Sequence, residues 1–192
     1  MNLSNLTQQL INGVSLGSLY GLVAIGYTMV YGILRLINFA HGDVLMMGCY
    51  FAFYAILIFS LPWWASFPIA ILLTALLGIV IDRGAYLPVR RAPRISALIT
   101  AIGLSFLLEN LALVIFGGRP KAFQRPASFG EVLTWGDVRF LTLSLWIPAI
   151  TFFLIVFLLF VVYRTRTGMA MRAISRDMET VRLMGVHVNR IT

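Results

Sequence analysis

The sequence predicts an all-α fold, a polytopic bundle of transmembrane helices followed by a cytoplasmic amphipathic segment. Three observations carry that expectation. Hydrophobic residues make up 60% of the 192 and charged residues only 11%, with a mean hydropathy of +0.91. No water-soluble domain of this size could present such a surface. Five long apolar runs recur along the chain, and a helix needs about 20 apolar residues to cross a bilayer. The last stretch, 164–192, breaks the pattern, being rich in Arg with a helical spacing of its apolar residues.

The runs fall at about 11–34, 44–60, 65–81, 95–116 and 141–163. The second and third are short for a crossing, which favours little tilt or an extension through Trp63 and Trp64, side chains suited to the headgroup boundary. Ahead of the first run, MNLSNLTQQL has no charged side chain and lacks the basic segment of a cleavable signal peptide. The first run is therefore expected to remain in the mature protein. It carries Gly13, Gly17 and Gly21 at four-residue spacing, with Ser18 and Gly26 nearby. Small residues at that interval let another helix come close, so this run is expected inside a bundle.

Between the first two runs, INFAHGDVLMMG places Asn38, His41 and Asp43 around Gly42. Two readings stand. Polar breaks within a membrane survive where protein or a water-filled cavity satisfies them, and transporters handle substrate at such breaks. Alternatively the segment is a short cytoplasmic turn whose His41 and Asp43 are solvated.

The fourth run is interrupted by Glu109 and Asn110, and Ser96, Thr100, Gly103 and Asn110 form a small or polar stripe. A carboxylate in lipid is costly, so Glu109 is expected to face water, protein or a partner. Adjacent residues lie about 100° apart around a helix, so Glu109 and Asn110 give this helix two polar aspects. A translocation path or proton relay is one reading, and a structural hydrogen bond between helices is the other. After it, 117–140 contains Pro120 and Pro126 and mixes both charge signs with Trp135, which reads as a surface loop and not a separate domain.

In the last stretch, Met171, Ile174, Met178 and Val181 recur at three and four residues while Arg172, Arg176, Glu179 and Arg182 take the other side, an amphipathic helical pattern. Ser175 is expected to cap a second short helix with Asp177 and Glu179 in its first turns and Gly185 at its end. An interfacial helix on anionic lipid headgroups has the same pattern.

Orientation follows from the basic residues. With 164–192 inside, Arg35, Arg83, Arg90, Arg91 and Arg94 are inside too, and only Arg119, Lys121, Arg125 and Arg139 lie outside. That satisfies the positive-inside bias and puts the N-terminus outside. The net charge of +8 is dispersed at the ends of apolar runs, a footprint unlike that of a nucleic-acid-binding protein. Cys49 is the sole cysteine, and His41 and His187 are far apart, so neither an intrachain disulfide nor a metal site is expected. No cofactor is indicated. The chain lacks a G-x-x-x-x-G-K-[ST] loop and has one lysine, Lys121, so it does not bind ATP by that route. No nucleophile–base or metal constellation marks an enzyme.

Three segments, INFAHGDVLMMG, LPVRRAPRISALITAIGLSFLLENLALVIFG and GMAMRAISRDMETVRLMGV, together resemble the branched-chain amino acid ABC transporter permeases of the LivH type. The resemblance covers essentially the whole chain in order. It implies an inner-membrane permease subunit in a bacterium, importing leucine, isoleucine and valine. Its implied partners are a second, related permease, two cytoplasmic ATP-binding subunits and a periplasmic amino-acid-binding protein. It also implies that 168–186 contacts an ATPase through Gly168, Arg172, Ala173, Glu179, Arg182 and Gly185, and it raises the interest of Asn38 to Asp43 as part of the path. Permeases of this type continue with further helices beyond the position of Thr192, so the chain is expected to be an N-terminal fragment of a transmembrane domain. Related permeases carry urea or short amides, and a proton-coupled secondary transporter would use Glu109 without an ATPase. A scaffold without transport activity would tolerate substitution at Asn38 and Glu109.

Overall fold

The computed structural model describes residues 3–34, 37–90, 92–123, 130–135 and 138–184. In chain order the elements are α1 (Leu3–Leu34), α2 (His41–Phe59), α3 (Trp63–Ile81), a π-helical turn (Asp82–Tyr86), α4 (Leu87–Val89), α5 (Arg94–Phe116), β1 (Val132–Trp135), β2 (Val138–Leu141), α6 (Leu143–Arg164), α7 (Arg166–Arg176) and α8 (Met178–Leu183). Five helical stretches among the described residues are long and apolar enough to cross a membrane. The fold is an all-α, polytopic one. The chain divides into two compact units, residues 36–124 and residues 1–35 with 125–192.

In the 36–124 unit, α2 ends at Ser60, whose φ of 48° turns the chain back through 60–62 into α3. The two helices run antiparallel and close together at Gly48, where a Cβ would lie 2.9 Å from the Thr74 hydroxyl oxygen. The apolar pattern of the third run stops at Ile81, yet the helix continues to Val89. Its wide turn at 82–86 accommodates an extra residue, and the Asp82 carboxylate receives Arg90 at 2.7 Å across the end of the helix. α5 ends at Gly117, whose φ of 77° is the left-handed conformation that glycine takes without a steric penalty. Ala40, Met47, Tyr86, Ala101, Leu104 and Leu108 are buried together. Outward residues such as Ile71, Val80 and Val114 are largely exposed apolar side chains, as on a lipid-facing surface.

In the other unit, α1 begins at Leu3, so the uncharged residues ahead of the first apolar run are helical as well. It packs against α6, β2 and α7. The 117–140 segment is more ordered than a surface loop: β1 and β2 pair antiparallel from Val132 opposite Leu141 to Trp135 opposite Val138. Two β-rich tetrapeptides, VLTW and VRFL, separated by two residues of which one is Gly136, meet the requirement of a tight hairpin. The Gln8 side chain accepts the Arg139 backbone N–H at 3.0 Å and ties the hairpin to α1. Within this unit, a Cβ at Gly13, Gly17 or Gly21 would meet no atom within 4 Å. The close helix approach expected at this stripe is therefore not made by α6, which packs elsewhere on α1.

The amphipathic pattern of 171–182 is realised in part. Ile174 and Val181 are buried and Met171 half-buried, whereas Arg172 and Arg176 are exposed. The start of α8 differs from expectation. Asp177 caps it, accepting the Thr180 backbone N–H at 3.1 Å and the Thr180 hydroxyl as well. Ser175 remains in α7 and donates to the Arg172 carbonyl at 2.8 Å. A serine inside a helix satisfies itself on the preceding turn, and the shorter, charged Asp two residues later is the better partner for a helix N-terminus.

Candidate functional site

The site is built on the start of α2. Ala40 occupies its N-cap position and provides no capping side chain. The Asn38 side-chain oxygen accepts the Ala40 N–H at 3.1 Å, and the His41 N–H donates to the Asn38 carbonyl at 3.2 Å. This is a local turn of the kind Asn favours. The same Asn38 oxygen also receives the Tyr86 hydroxyl at 2.6 Å. One turn into α2, the Asp43 carboxylate accepts the Ser105 hydroxyl at 2.5 Å. A carboxylate in the first turn suits the positive end of the helix dipole.

Ser105 is the midpoint of α5, eleven residues from either end, or about 16 Å of helix in each direction. α2 therefore starts near the middle of α5 and not at its end. Neither Asn38 nor Asp43 is simply solvated: each is partly buried and bonded to another helix of the unit. His41 is partly buried beside them.

From this point α2 and α5 run in the same direction, because Asp43 meets Ser105 at one end and the Tyr50 ring stacks on Phe116 at 4.3 Å farther along. Met46, Cys49, Tyr50 and Phe53 lie on one face of α2, and Glu109, Ala112 and Leu113 on one face of α5, each at the three- and four-residue spacing of a helix face. The two faces and 117–123 enclose an open cleft of about 610 Å³. Glu109 lines it with Arg119 and Lys121. Among the described residues none of these three charges has an ion-pair partner.

The other sequence candidates on α5 have local partners. Thr100 donates to the Ser96 carbonyl at 2.8 Å and Asn110 to the Phe106 carbonyl at 2.7 Å, each within its own helix. The structure thus brings Asn38 and Asp43 together with Tyr86 and Ser105, gives Glu109 to the cleft, and leaves Thr100 and Asn110 outside both arrangements. Ser105 and Tyr86 were not singled out in the sequence. Ser105 is four residues before Glu109, hence on the same helix face, and that spacing is the signal that could have found it. Nothing local marks Tyr86, which reaches Asn38 across 48 positions of sequence.

The Arg-rich segment joins α6 at a tight corner. Thr165 caps α7, accepting the Gly168 N–H at 3.1 Å, while its hydroxyl donates to the Val161 carbonyl at 2.5 Å. Gly168 is buried, and a Cβ there would lie 2.3 Å from the carbonyl oxygens of both Val161 and Val162. Only glycine fits. The Arg172 guanidinium lies 5.1 Å from the centre of the Tyr163 ring, a cation–π contact, and Ala173 is half-buried. Glu179 and Arg182 are in α8, with their side chains outside the described residues, as is the whole of Gly185. Among the described residues no cluster of His, Cys, Asp or Glu could hold a metal ion.

The comparisons with known proteins bear on both sites. The family model described as "branched-chain amino acid transport system / permease component" matches residues 9–192. The high-affinity branched-chain amino acid transport system permease protein BraD of Pseudomonas aeruginosa is 39% identical over 96% of this chain and 64% of its own length. The permease proteins LivH of Salmonella typhimurium and of Escherichia coli K12 are 39% and 38% identical, over 96% of this chain and 63% of their own lengths. The chain thus spans just under two thirds of these relatives. No solved structure matches it. With a family model that covers nearly its whole length, and five apolar helices in the order the three resembling segments require, the chain belongs to the branched-chain amino acid transport permease family.

Proposed function

We propose that this chain contributes the membrane-spanning path of a permease subunit in an ATP-driven importer of branched-chain amino acids, leucine, isoleucine and valine. The observation that carries the reading is the start of α2 held at the midpoint of α5 by the Asp43–Ser105 hydrogen bond. In a helix long enough to cross a bilayer of about 30 Å, that midpoint falls near the centre of the membrane. Of the two readings of 38–43, this favours a polar break inside the membrane. Such a break needs its backbone groups satisfied by protein, and Asn38 and Asp43 supply that satisfaction. In this reading the path runs past Asn38, His41 and Asp43 towards Glu109, with Thr100 and Asn110 facing other surroundings.

The basic residues support an orientation with 164–192 in the cytoplasm and both the N-terminus and 117–140 outside, in a bacterial inner membrane. There the 168–186 segment receives the motion of two ATP-binding subunits through Gly168, Arg172, Ala173, Glu179, Arg182 and Gly185. The Gly168 contact allows no sliding of α7 on the end of α6, so a push on α7 becomes a rigid displacement of the helix it joins. A second permease and a periplasmic binding protein complete the assembly, and ATP hydrolysis resides in the ATP-binding subunits.

The test is uptake of labelled leucine in cells carrying the intact gene, with either ATP depletion or collapse of the membrane potential. Loss on ATP depletion alone is expected. Loss on collapse of the potential alone would replace this reading with a secondary transporter that uses Glu109. Uptake of urea or short amides without leucine would move the substrate and leave the assembly.

A further inference from the structure

The cleft between the later halves of α2 and α5 holds three charges of both signs and an apolar wall, with no pairing among them. Its volume of about 610 Å³ falls within the roughly 300–1,000 Å³ of small-molecule sites. The charges select against simple ions. A plain anion would meet Glu109, and a plain cation would meet Arg119 and Lys121. A purely apolar molecule would leave all three without compensation, which costs free energy wherever water is displaced. A small molecule with an anionic group, a cationic group and an apolar body satisfies every part of the wall.

We infer that this cleft binds the zwitterionic head of a free aliphatic amino acid. Arg119 and Lys121 take the carboxylate, Glu109 takes the ammonium group, and Met46, Phe53 and Leu113 contact the side chain. Charge-assisted hydrogen bonds on both groups hold the molecule by its backbone, while the apolar wall distinguishes neighbouring aliphatics weakly, by about 1 to 3 kcal/mol per methylene. The site therefore recognises amino acids as a class. Ser105 is one turn from Glu109 on α5, about 6 Å of rise, so the cleft leads down to the Asp43–Ser105 bond at the break. The inference rests on the transport reading for its direction of traffic, not for its binding chemistry. An ethanolamine phospholipid headgroup carries the same pair of charges, and the test separates the two sources.

Cys49 lines the same cleft, is exposed and has a free thiol, so its alkylation reports occupancy. The intact permease complex in membrane vesicles is treated with N-ethylmaleimide, and the Cys49-bearing peptide is quantified by mass spectrometry. The protectants are L-leucine, leucinamide, 4-methylpentanoate and phosphoethanolamine, and leucine uptake is measured in the same vesicles. L-leucine at twice its dissociation constant is expected to slow alkylation about threefold, with no comparable effect from the three other compounds. Glu109→Gln is expected to raise the leucine concentration for half-protection about tenfold, with the rate of Cys49 alkylation in the absence of ligand unchanged as the sign of an intact cleft. Equal protection by leucinamide and 4-methylpentanoate, protection by phosphoethanolamine alone, or no protection at all overturns the inference. Uptake without protection removes the site and leaves the transport reading standing. Protection without uptake upholds the site and removes that reading.

Discussion

Two helix starts in this chain are secured by opposite means. α7 is capped from within its own sequence: Thr165 accepts the Gly168 N–H three residues on and donates to Val161 four residues back. α2 starts behind an alanine, and its polar first turn depends on Tyr86 and Ser105, 48 and 62 positions away. The first arrangement forms whenever its helix forms. The second exists only when three helices are assembled, so it can be remade if they move. A rigid corner at the proposed ATPase-facing end and a side-chain latch at the centre of the path are what a rocking permease needs, because motion must enter without loss and end in a local rearrangement.

The rigid corner gives the largest expected effect. Gly168→Ala places a methyl group on two backbone oxygens that no rotamer change can move, so the cost lies at the top of the roughly 1–3 kcal/mol range of overpacking, or above it. Thermal unfolding of the intact permease complex should register that loss, and substrate-stimulated ATP hydrolysis should fall with it. Gly13→Ala is the control, since its Cβ meets nothing within 4 Å in its unit. An unchanged Gly168→Ala protein would mean that the corner is not rigid and the contrast between the two starts is false.

The latch is weaker by its nature. Asp43→Ala removes a charge-accepting partner and leaves the Ser105 hydroxyl to find another, a cost of about 2 kcal/mol, with leucine uptake expected to fall more steeply than thermal stability. Tyr86→Phe keeps the ring and deletes one hydrogen bond to Asn38, about 1 kcal/mol, because Asn38 retains the Ala40 N–H. If Tyr86→Phe lowered uptake as far as Asp43→Ala, the turn at 38–40 and not the Asp43 contact would control the break. Scanning calorimetry and initial uptake rates on the same two variants separate these outcomes.

What was legible in the sequence follows the same division. The five helices could be read because lipid exposure writes itself into every residue of a span, and the basic amphipathic segment because its period is local. Local polarity misled at two places. Asp82 and Arg83 ended the apolar run of the third span but not its helix, which continues through a π-helical turn closed by the Asp82–Arg90 pair. The hairpin at 132–141 was hidden in a charged, proline-containing loop although its two β-rich tetrapeptides were in plain view. Ser175 looked like a cap because serine usually is one, yet Asp177 was two residues away. At the candidate site the residue types of 38–43 stood out, whereas Tyr86 and Ser105 did not. A long-range partner leaves no periodic mark on either segment it joins.

The smallest expected effect is the sharpest check on that division, because it compares two hydroxyls on one helix. Ser105 donates across to Asp43, whereas Thr100 donates to the Ser96 carbonyl four residues before it. Thr100→Val keeps the branched shape, and a helix carbonyl that loses such a bond still has its backbone donor. Stability is expected to change by less than about 0.5 kcal/mol and leucine uptake to remain at the wild-type rate. Ser105→Ala removes less volume but takes away the one hydroxyl that holds Asp43 at the midpoint of α5, and uptake is expected to drop. The opposite ranking, with Thr100→Val impaired and Ser105→Ala normal, would put the path on the small polar stripe of α5 and reduce the start of α2 to packing.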